Sequence, residues 1–380
     1  MSASPPTSFR ILVLGGYGLF GARIVRALAR ERGCELVVAG RDLASAQALC
    51  AELAAAGAQA GLAAAALDVT ASDLGERIAA LAPRLVIHSA GPFQGRAWEV
   101  AECALAARAH YVDLADARAF VAGFAALDGR ARAAGCWAIS GASSVPGLSG
   151  AVLAALAPRF GRLEQVATAI SPGNHTPRGL ATTRAILGQV GRPLAVLRDG
   201  RWQRRYGWQS LRRLRIAGLR TRWLACCDVP DLTVLPRRWP QLRSCEFRAG
   251  LELRRMHLGL WLASWLVRAR LWRDLAAHAQ ALLALSQRWQ ALGSDVGVMQ
   301  MDLRGHDHAG APLHLRWRLL AHHGDGPQVP ATAAVVLARK LARGRLPGSG
   351  ARACLDLFTL DELLAELADY AIDTSVQQLT

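Results

Sequence analysis

The stretch Ile11-Leu12-Val13-Leu14-Gly15-Gly16-Tyr17-Gly18-Leu19-Phe20-Gly21-Ala22 decides how this chain is read. The apolar run from Phe9 to Leu14 has the pattern of a strand buried on both faces. Directly after it, Gly16, Gly18 and Gly21 fall at the spacing Gly-x-Gly-x-x-Gly. Ala22 to Arg32 then reads as a helix, with Ile24, Val25 and Leu28 on one face. Each glycine has a mechanical reason. Gly16 permits a tight turn, Gly18 lets backbone approach a pyrophosphate, and Gly21 allows close helix–strand packing. A diphosphate at that bend meets free N–H groups at the positive end of a helix. Among 36 glycines the spacing alone means little. Its place between a strand and a helix, with a second strand at Glu35 to Ala39, gives it meaning.

The tip of the second strand selects the cofactor. It reads Val37-Val38-Ala39-Gly40-Arg41-Asp42. An NAD site normally places an acid there for the ribose 2′-hydroxyl. Here Gly40 leaves room, and Arg41 carries a guanidinium suited to a 2′-phosphate. Asp42 suits either a ribose contact on a longer strand or the N-cap of a helix from Leu43 to Ala56. The expected cofactor is NADP (NADPH), with NAD the second choice.

The alternation continues outward. Strands are predicted at Ala63 to Leu67, Leu85 to Ile87, His110 to Leu114 and Cys136 to Ser140, with helices between them. The third exits at Asp68-Val69, with Asp68 beside the adenine. The fourth exits through His88-Ser89-Ala90-Gly91-Pro92-Phe93, at the carboxyl end of the sheet, where doubly wound folds bind ligands. The expected fold class is α/β: an amino-terminal doubly wound Rossmann domain, with a second α+β domain containing a mixed or antiparallel sheet. The expected boundaries are 1–148 for the first and 149–328 for the second, with an Arg/Trp-rich helical insertion over about 201–292. Carboxyl-terminal helices over 329–380 are expected to pack back on the Rossmann domain. Cofactor contacts are assigned to Gly15, Gly16, Tyr17, Gly18, Leu19, Phe20, Gly21, Gly40, Arg41, Asp68, Val69, Ser89, Ala90, Gly91 and Pro92.

Composition narrows the class. A chain 52% hydrophobic and 19% charged is not disordered. Met1 to Arg10 is polar and shows no signal peptide, and the apolar run Leu258 to Val267 is too short to span a bilayer. The eight cysteines form no Cys-x-x-Cys pair, which suits reduced thiols in the cytoplasm. The net charge of +16 comes from 44 arginines and one lysine, Lys340. That skew has the look of nucleotide-composition bias. No recognition motif accompanies it, so nucleic acid is excluded as a partner. Yet 17 arginines, against four acids, and seven of the 11 tryptophans lie between Arg201 and Arg273. A helix pair or dimer interface, or contact of residues 256–273 with a membrane surface, both fit.

Catalytic chemistry is harder to place. A Tyr-x-x-x-Lys mechanism is excluded, because Val336 stands four residues before the one lysine. His88 ends the fourth strand, where a structural role is the default. Tyr111 and Asp113 are catalytic candidates on the fifth strand, read as facing opposite sides of it. Ser143 is assigned to substrate, or else caps the following helix with Ser144. In the second domain a polar loop, Ser171 to Gly179, enters a helix through Leu180-Ala181-Thr182-Thr183. There His175 is placed to donate a proton and Arg178 to grip a carboxylate, with Thr182 and Thr183 as substrate contacts or helix caps. His306, His308, His314, His322 and His323 lack the spacing of a metal site, so no metal is expected.

These motifs resemble the saccharopine dehydrogenase-like oxidoreductases. The likeness rests on Gly15-Gly16-Tyr17-Gly18 through Gly21, Ala39-Gly40-Arg41, Ser89-Ala90-Gly91-Pro92-Phe93, Tyr111-Val112-Asp113-Leu114 and Pro146-Gly147. It covers about Arg10 to Leu156, and more loosely Ile170 to Leu187 and the last 80 or so residues. The resemblance implies an NADP-binding domain followed by an α+β domain carrying dimerisation or substrate contacts, some of them near the loop at His175. It does not imply saccharopine as substrate. The expected function is hydride transfer to or from a C=N, C=O or C=C bond of a small or lipid-like metabolite, by a cytoplasmic homodimer or other homo-oligomer. A non-catalytic NADP sensor or scaffold, and a protein peripheral to the inner membrane surface acting on a lipid-like substrate, are the alternatives.

Overall fold

The computed structural model describes residues 8–379. The reading of Met1 to Arg10 as a start without a leader falls mostly outside them. The chain divides into two compact units. One comprises residues 1–148 and 328–366, the other 149–327 and 367–380.

The first unit is built on a seven-stranded sheet. Its strands are β1 (Phe9–Leu14), β2 (Cys34–Gly40), β3 (Gly61–Ala66), β4 (Leu85–His88), β5 (His110–Asp113), β6 (Trp137–Ser140) and, from far down the chain, β15 (Gly350–Ala353). Their order is β15-β6-β5-β4-β1-β2-β3, and every pairing is parallel. The central strands are apolar because both faces are covered. Ile11, Leu12, Val13 and Leu14 are fully buried, as are Leu85, Val86 and Ile87. The strand order reverses between β1 and β4, so the carboxyl ends of those two strands flank the crevice where such sheets bind ligands. The first helix, Gly21–Leu28, turns Ile24, Val25 and Leu28 inward.

Residues 329–380 contain two strands where only helices were expected. The helix Val329–Ala342 does belong to the first unit, and there Arg339 pairs with Glu31 and Glu366. The other strand, β16 (Ile372–Leu379), belongs to the second unit. Neither strand announces itself, since β15 has four residues and β16 is an exposed, polar edge.

The second unit carries a nine-stranded mixed sheet. Its strands are β7 (Arg162–Ser171), β8 (Pro193–Arg198), β9 (Arg201–Tyr206), β10 (Arg212–Leu214), β11 (Arg222–Cys226), β12 (Ser244–Ala249), β13 (Gly297–His306), β14 (Pro312–Ala321) and β16. The main path runs β10-β11-β12-β7-β13-β14-β16, with β8 joined to β12 and β9 to β8. Only β7 and β12 run parallel. The hairpin at Asp199-Gly200 forms with both residues at positive φ, the conformation a tight two-residue turn requires.

The helical insertion expected over about 201–292 is corrected. Residues 201–249 supply four strands and one short helix, Asp231–Arg238. Only Arg254–Arg268 and Ala279–Gln287 are substantial helices. Alternation in Arg201 to Tyr206 is hidden because β9 pairs only with β8 and buries little, leaving Arg201, Trp202 and Arg204 exposed. Among the described residues, no helix is long and apolar enough to cross a membrane, no group of three or more His, Cys, Asp or Glu is placed to hold a metal, and the eight cysteines are unbridged.

Candidate functional site

The turn after β1 is closed by its own backbone. The amides of Gly15 and Gly16 both donate to Ala39 O on β2, at 2.8 and 3.0 Å, and Gly18 N donates to Gly15 O at 2.9 Å. A Cβ on Gly16 would lie 2.8 Å from Val38 Cγ1 and 2.9 Å from Val13 O, so only glycine lets the turn press against the sheet. A Cβ on Gly21 would collide with Gly15 O and the Ser89 hydroxyl. Gly18 differs, since a Cβ there would meet only Gly15 O, at 3.1 Å, and the residue is exposed. Among the described residues the amides of Leu19 and Phe20 have no internal acceptor. An open glycine beside unspent N–H groups at a helix N-terminus is the cradle a diphosphate needs.

The loop after β4 completes the wall. Ser89 Oγ donates to Leu14 O at 2.8 Å and reaches Gly15 O at 3.2 Å. Ala90 packs against Gly15, and Gly91-Pro92 continues past it. His88 holds this loop from behind. It is buried, with Nε2 3.2 Å from Ala90 O and Nδ1 3.0 Å from the Tyr111 hydroxyl. Burial pushes its pKa down to about 4, so the ring is neutral at pH 7. A carbonyl only accepts, so Nε2 carries the proton and Tyr111 O–H donates to Nδ1.

The tip of β2 reads differently from expectation in one detail. The room at Gly40 is taken by the Tyr17 ring, which a Cβ there would strike. Tyr17 Oη accepts from Asp42 N at 2.8 Å. Asp42 is the cap of the helix Leu43–Ala55, accepting from Ala44 N at 3.0 Å and from Ser45 Oγ at 2.5 Å. Its carboxyl sits below its ordinary range, held there chiefly by Ser45. Arg41 is exposed beside Asp68, whose pKa is lowered by Thr70 first and also by the Arg41 charge. Val69 follows, half-buried.

Tyr111 and Asp113 are wholly enclosed in the first unit. The reading that they face opposite sides of the strand is corrected, since residues two apart on a strand share a face. Asp113 Oδ1 accepts from Gly141 N at 2.8 Å, Ala115 N at 2.9 Å and Ser140 Oγ at 3.0 Å. Burial nevertheless raises its carboxyl to about 6. Burial, and after it the Asp113 charge, raises the Tyr111 hydroxyl. Asp113 therefore pins the chain leaving β6 to the end of β5, while Tyr111 braces His88. Ser143, half-buried, donates its amide to Gly141 O at 2.8 Å in the turn that Asp113 anchors.

The remaining candidates lie in the second unit. His175 is exposed, its backbone tied to Ser294 O. Arg178 donates from Nη2 to Asn174 O at 3.0 Å and to Asn174 Oδ1. Its Nη1 is buried with no hydrogen-bond partner. Burial lowers the Arg178 pKa. Thr183 donates to Gly179 O at 3.0 Å, and Thr182 is exposed. Gly179 is the N-cap, so neither threonine caps the helix. Arg178 and Thr183 line one apolar cavity of about 320 Å³, and His175 and Thr182 are not on its wall. Sequence reading gave no role to Glu252, which organises this loop. It accepts from Asn174 N at 2.6 Å and Ser294 N at 2.9 Å, and faces the buried Arg222 at 3.4 Å. No local pattern marks such a residue, because its partners are 30 to 80 positions away.

Comparison with known proteins agrees with the geometry. Residues 11–139 match the saccharopine dehydrogenase NADP binding domain. The whole chain is similar in fold to the saccharopine dehydrogenase (L-Glu forming) of Saccharomyces cerevisiae, at 16% identity and a TM-score of 0.70, covering 98% of this chain and 100% of that one. It is also similar to the homospermidine synthase of Legionella pneumophila in complex with NAD, at 10% identity and a TM-score of 0.60, covering 97% and 91%. At these identities the likeness is one of fold. None of the curated proteins matches the sequence. The glycine turn, the parallel sheet and the matched domain lead to one conclusion: residues 11–139 form a nicotinamide-cofactor-binding domain of the saccharopine dehydrogenase type, in a chain that shares the fold of saccharopine dehydrogenase.

Proposed function

We propose that the protein is an NADP(H)-dependent oxidoreductase acting on a C=N, C=O or C=C bond of a small or lipid-like metabolite. The observation that carries the preference for NADP is the commitment of Asp42 to a helix cap. With that acid spent, the tip of β2 offers no carboxylate for a 2′-hydroxyl, and the exposed Arg41 guanidinium is the group available for a 2′-phosphate. The amides of Leu19 and Phe20, with Gly18, would hold the diphosphate, and Ser89 to Pro92 would back it. Such a cofactor supplies hydride transfer when bound. For this chain's own residues, His88 and Tyr111 keep the loop in place rather than exchange protons with substrate. His175, being exposed, is the candidate proton donor, and Arg178 the candidate anion grip.

Titration of NADPH and NADH by cofactor fluorescence tests the preference. Arg41→Ala should weaken NADPH at least tenfold and leave NADH unchanged, as loss of a charge-assisted phosphate contact requires. Equal weakening of both cofactors would remove Arg41 from this role. Tight NADPH binding without turnover across a panel of imines, ketones and enones would favour a sensor instead. The proposal includes a homo-oligomer, which sedimentation measures directly.

A further inference from the structure

The second unit contains two cavities with shared walls. The larger, about 830 Å³, is lined by Arg213, Arg215, Arg220, Arg254 and Arg255 together with Trp223. The smaller, about 320 Å³, is apolar, lined by residues such as Ile186, Leu260 and Leu282 from three helices. Arg255 and Trp289 line both.

The charge around the larger cavity is not cancelled internally. Glu252, the acid on its wall, is taken by Arg222 and by the Asn174 and Ser294 amides. Glu246 nearby is taken by Arg212 and Arg248. Among the described residues, no carboxylate pairs with any of the five lining arginines. Arg213 is fixed instead over the Trp223 ring, 4.8 Å from its centroid. All five are exposed, so salt screens much of their mutual repulsion. What they offer is a concave, one-signed surface on which a multiply charged anion meets several guanidinium groups at once. The smaller cavity asks for the opposite chemistry, since its wall offers Arg178 and Arg255 and is otherwise almost wholly apolar.

We propose that the second unit binds a phosphorylated single-chain amphiphile, its phosphate-bearing head in the arginine-walled cavity and its alkyl or acyl chain in the apolar one. The proposal names a ligand class for this unit alone, and does not depend on the cofactor reading of the first. A soluble phosphorylated carrier and a lipid headgroup share this chemistry, and the experiment separates them.

The full-length protein is titrated with monomeric hexyl, octyl and decyl phosphate, decanol and inorganic pyrophosphate, by calorimetry or tryptophan fluorescence. Affinity should rise about two- to fourfold with each methylene, the increment for burying one CH₂ group. Arg254→Glu with Arg255→Glu should weaken decyl phosphate at least tenfold. Gly259 lines the apolar cavity, and a Cβ there meets nothing within 4 Å, so a side chain can start at this position without a backbone collision, and Gly259→Phe adds bulk at the cavity wall. That variant should lose the chain-length dependence, keep pyrophosphate binding and melt like the wild type. Affinity independent of chain length, decanol binding as tightly as decyl phosphate, or Gly259→Phe binding decyl phosphate unchanged would each overturn the proposal. So would binding confined to phosphatidylglycerol vesicles and insensitive to Gly259→Phe, which would assign the arginines to a membrane surface.

Discussion

At the scale of single residues, the cradle separates glycines needed for packing from the one available to a ligand. A methyl group at Gly21 collides with Gly15 O, whereas at Gly18 it meets one oxygen at 3.1 Å. Gly21→Ala should therefore cost about 1–3 kcal/mol of stability through overpacking and also weaken NADPH. Gly18→Val should weaken NADPH with a much smaller change in melting temperature. Thermal denaturation with and without NADPH distinguishes the two. The Tyr111–His88–Ala90 chain makes a similar argument from hydrogen bonding. Tyr111→Phe removes the donor to a buried His88 Nδ1, and an unsatisfied buried acceptor costs about 1–3 kcal/mol. If Tyr111 is a positioning residue, the variant loses stability and cofactor affinity together while the pH profile of turnover is unchanged. A shifted profile would instead make Tyr111 a catalytic residue.

At the scale of elements, helix ends carry the informative chemistry. Thr359 and Glu362 form a reciprocal capping box on the helix Leu360–Ala365. Thr359→Ala should cost about 1 kcal/mol, read from denaturant midpoints. The helix Asp231–Arg238 starts with a carboxylate that is 1% exposed and makes no hydrogen bond among the described residues. An acid in the first turn suits the helix dipole, yet burial outweighs that and the nearby Ser149, raising its pKa to about 7. The folded value lies above the unfolded one, so the folded state is penalised progressively as pH rises from about 4 to 7. Asp231→Asn should be near neutral at pH 4 and stabilising at pH 8, by about 4 kcal/mol at most. Equal effects at both pH values would show that the carboxyl is not held neutral.

At the scale of the whole molecule, NADPH binding should protect the unit that holds the glycine turn. At a hundredfold excess over Kd the stabilisation is about 2.7 kcal/mol. Hydrogen exchange should slow most at the amides of Leu19 and Phe20 and in β1 and β4. Protection of the second unit alone would contradict the assignment of the cradle.

The sequence by itself determined the alternation of the first six strands and their helices, and the turn at Gly15 to Gly21. Each depends on residues within a few positions of one another, where spacing maps directly onto backbone geometry. Only the tertiary structure decided the rest. It showed that Gly350–Ala353 joins the Rossmann sheet beside β6 and that Tyr111 and Asp113 are sealed inside. It also showed that Arg222 is buried against Glu252 while five other arginines of the same stretch ring a cavity. An arginine's role is set by which distant carboxylate or carbonyl reaches it, and neither composition nor periodicity records a partner dozens of residues away.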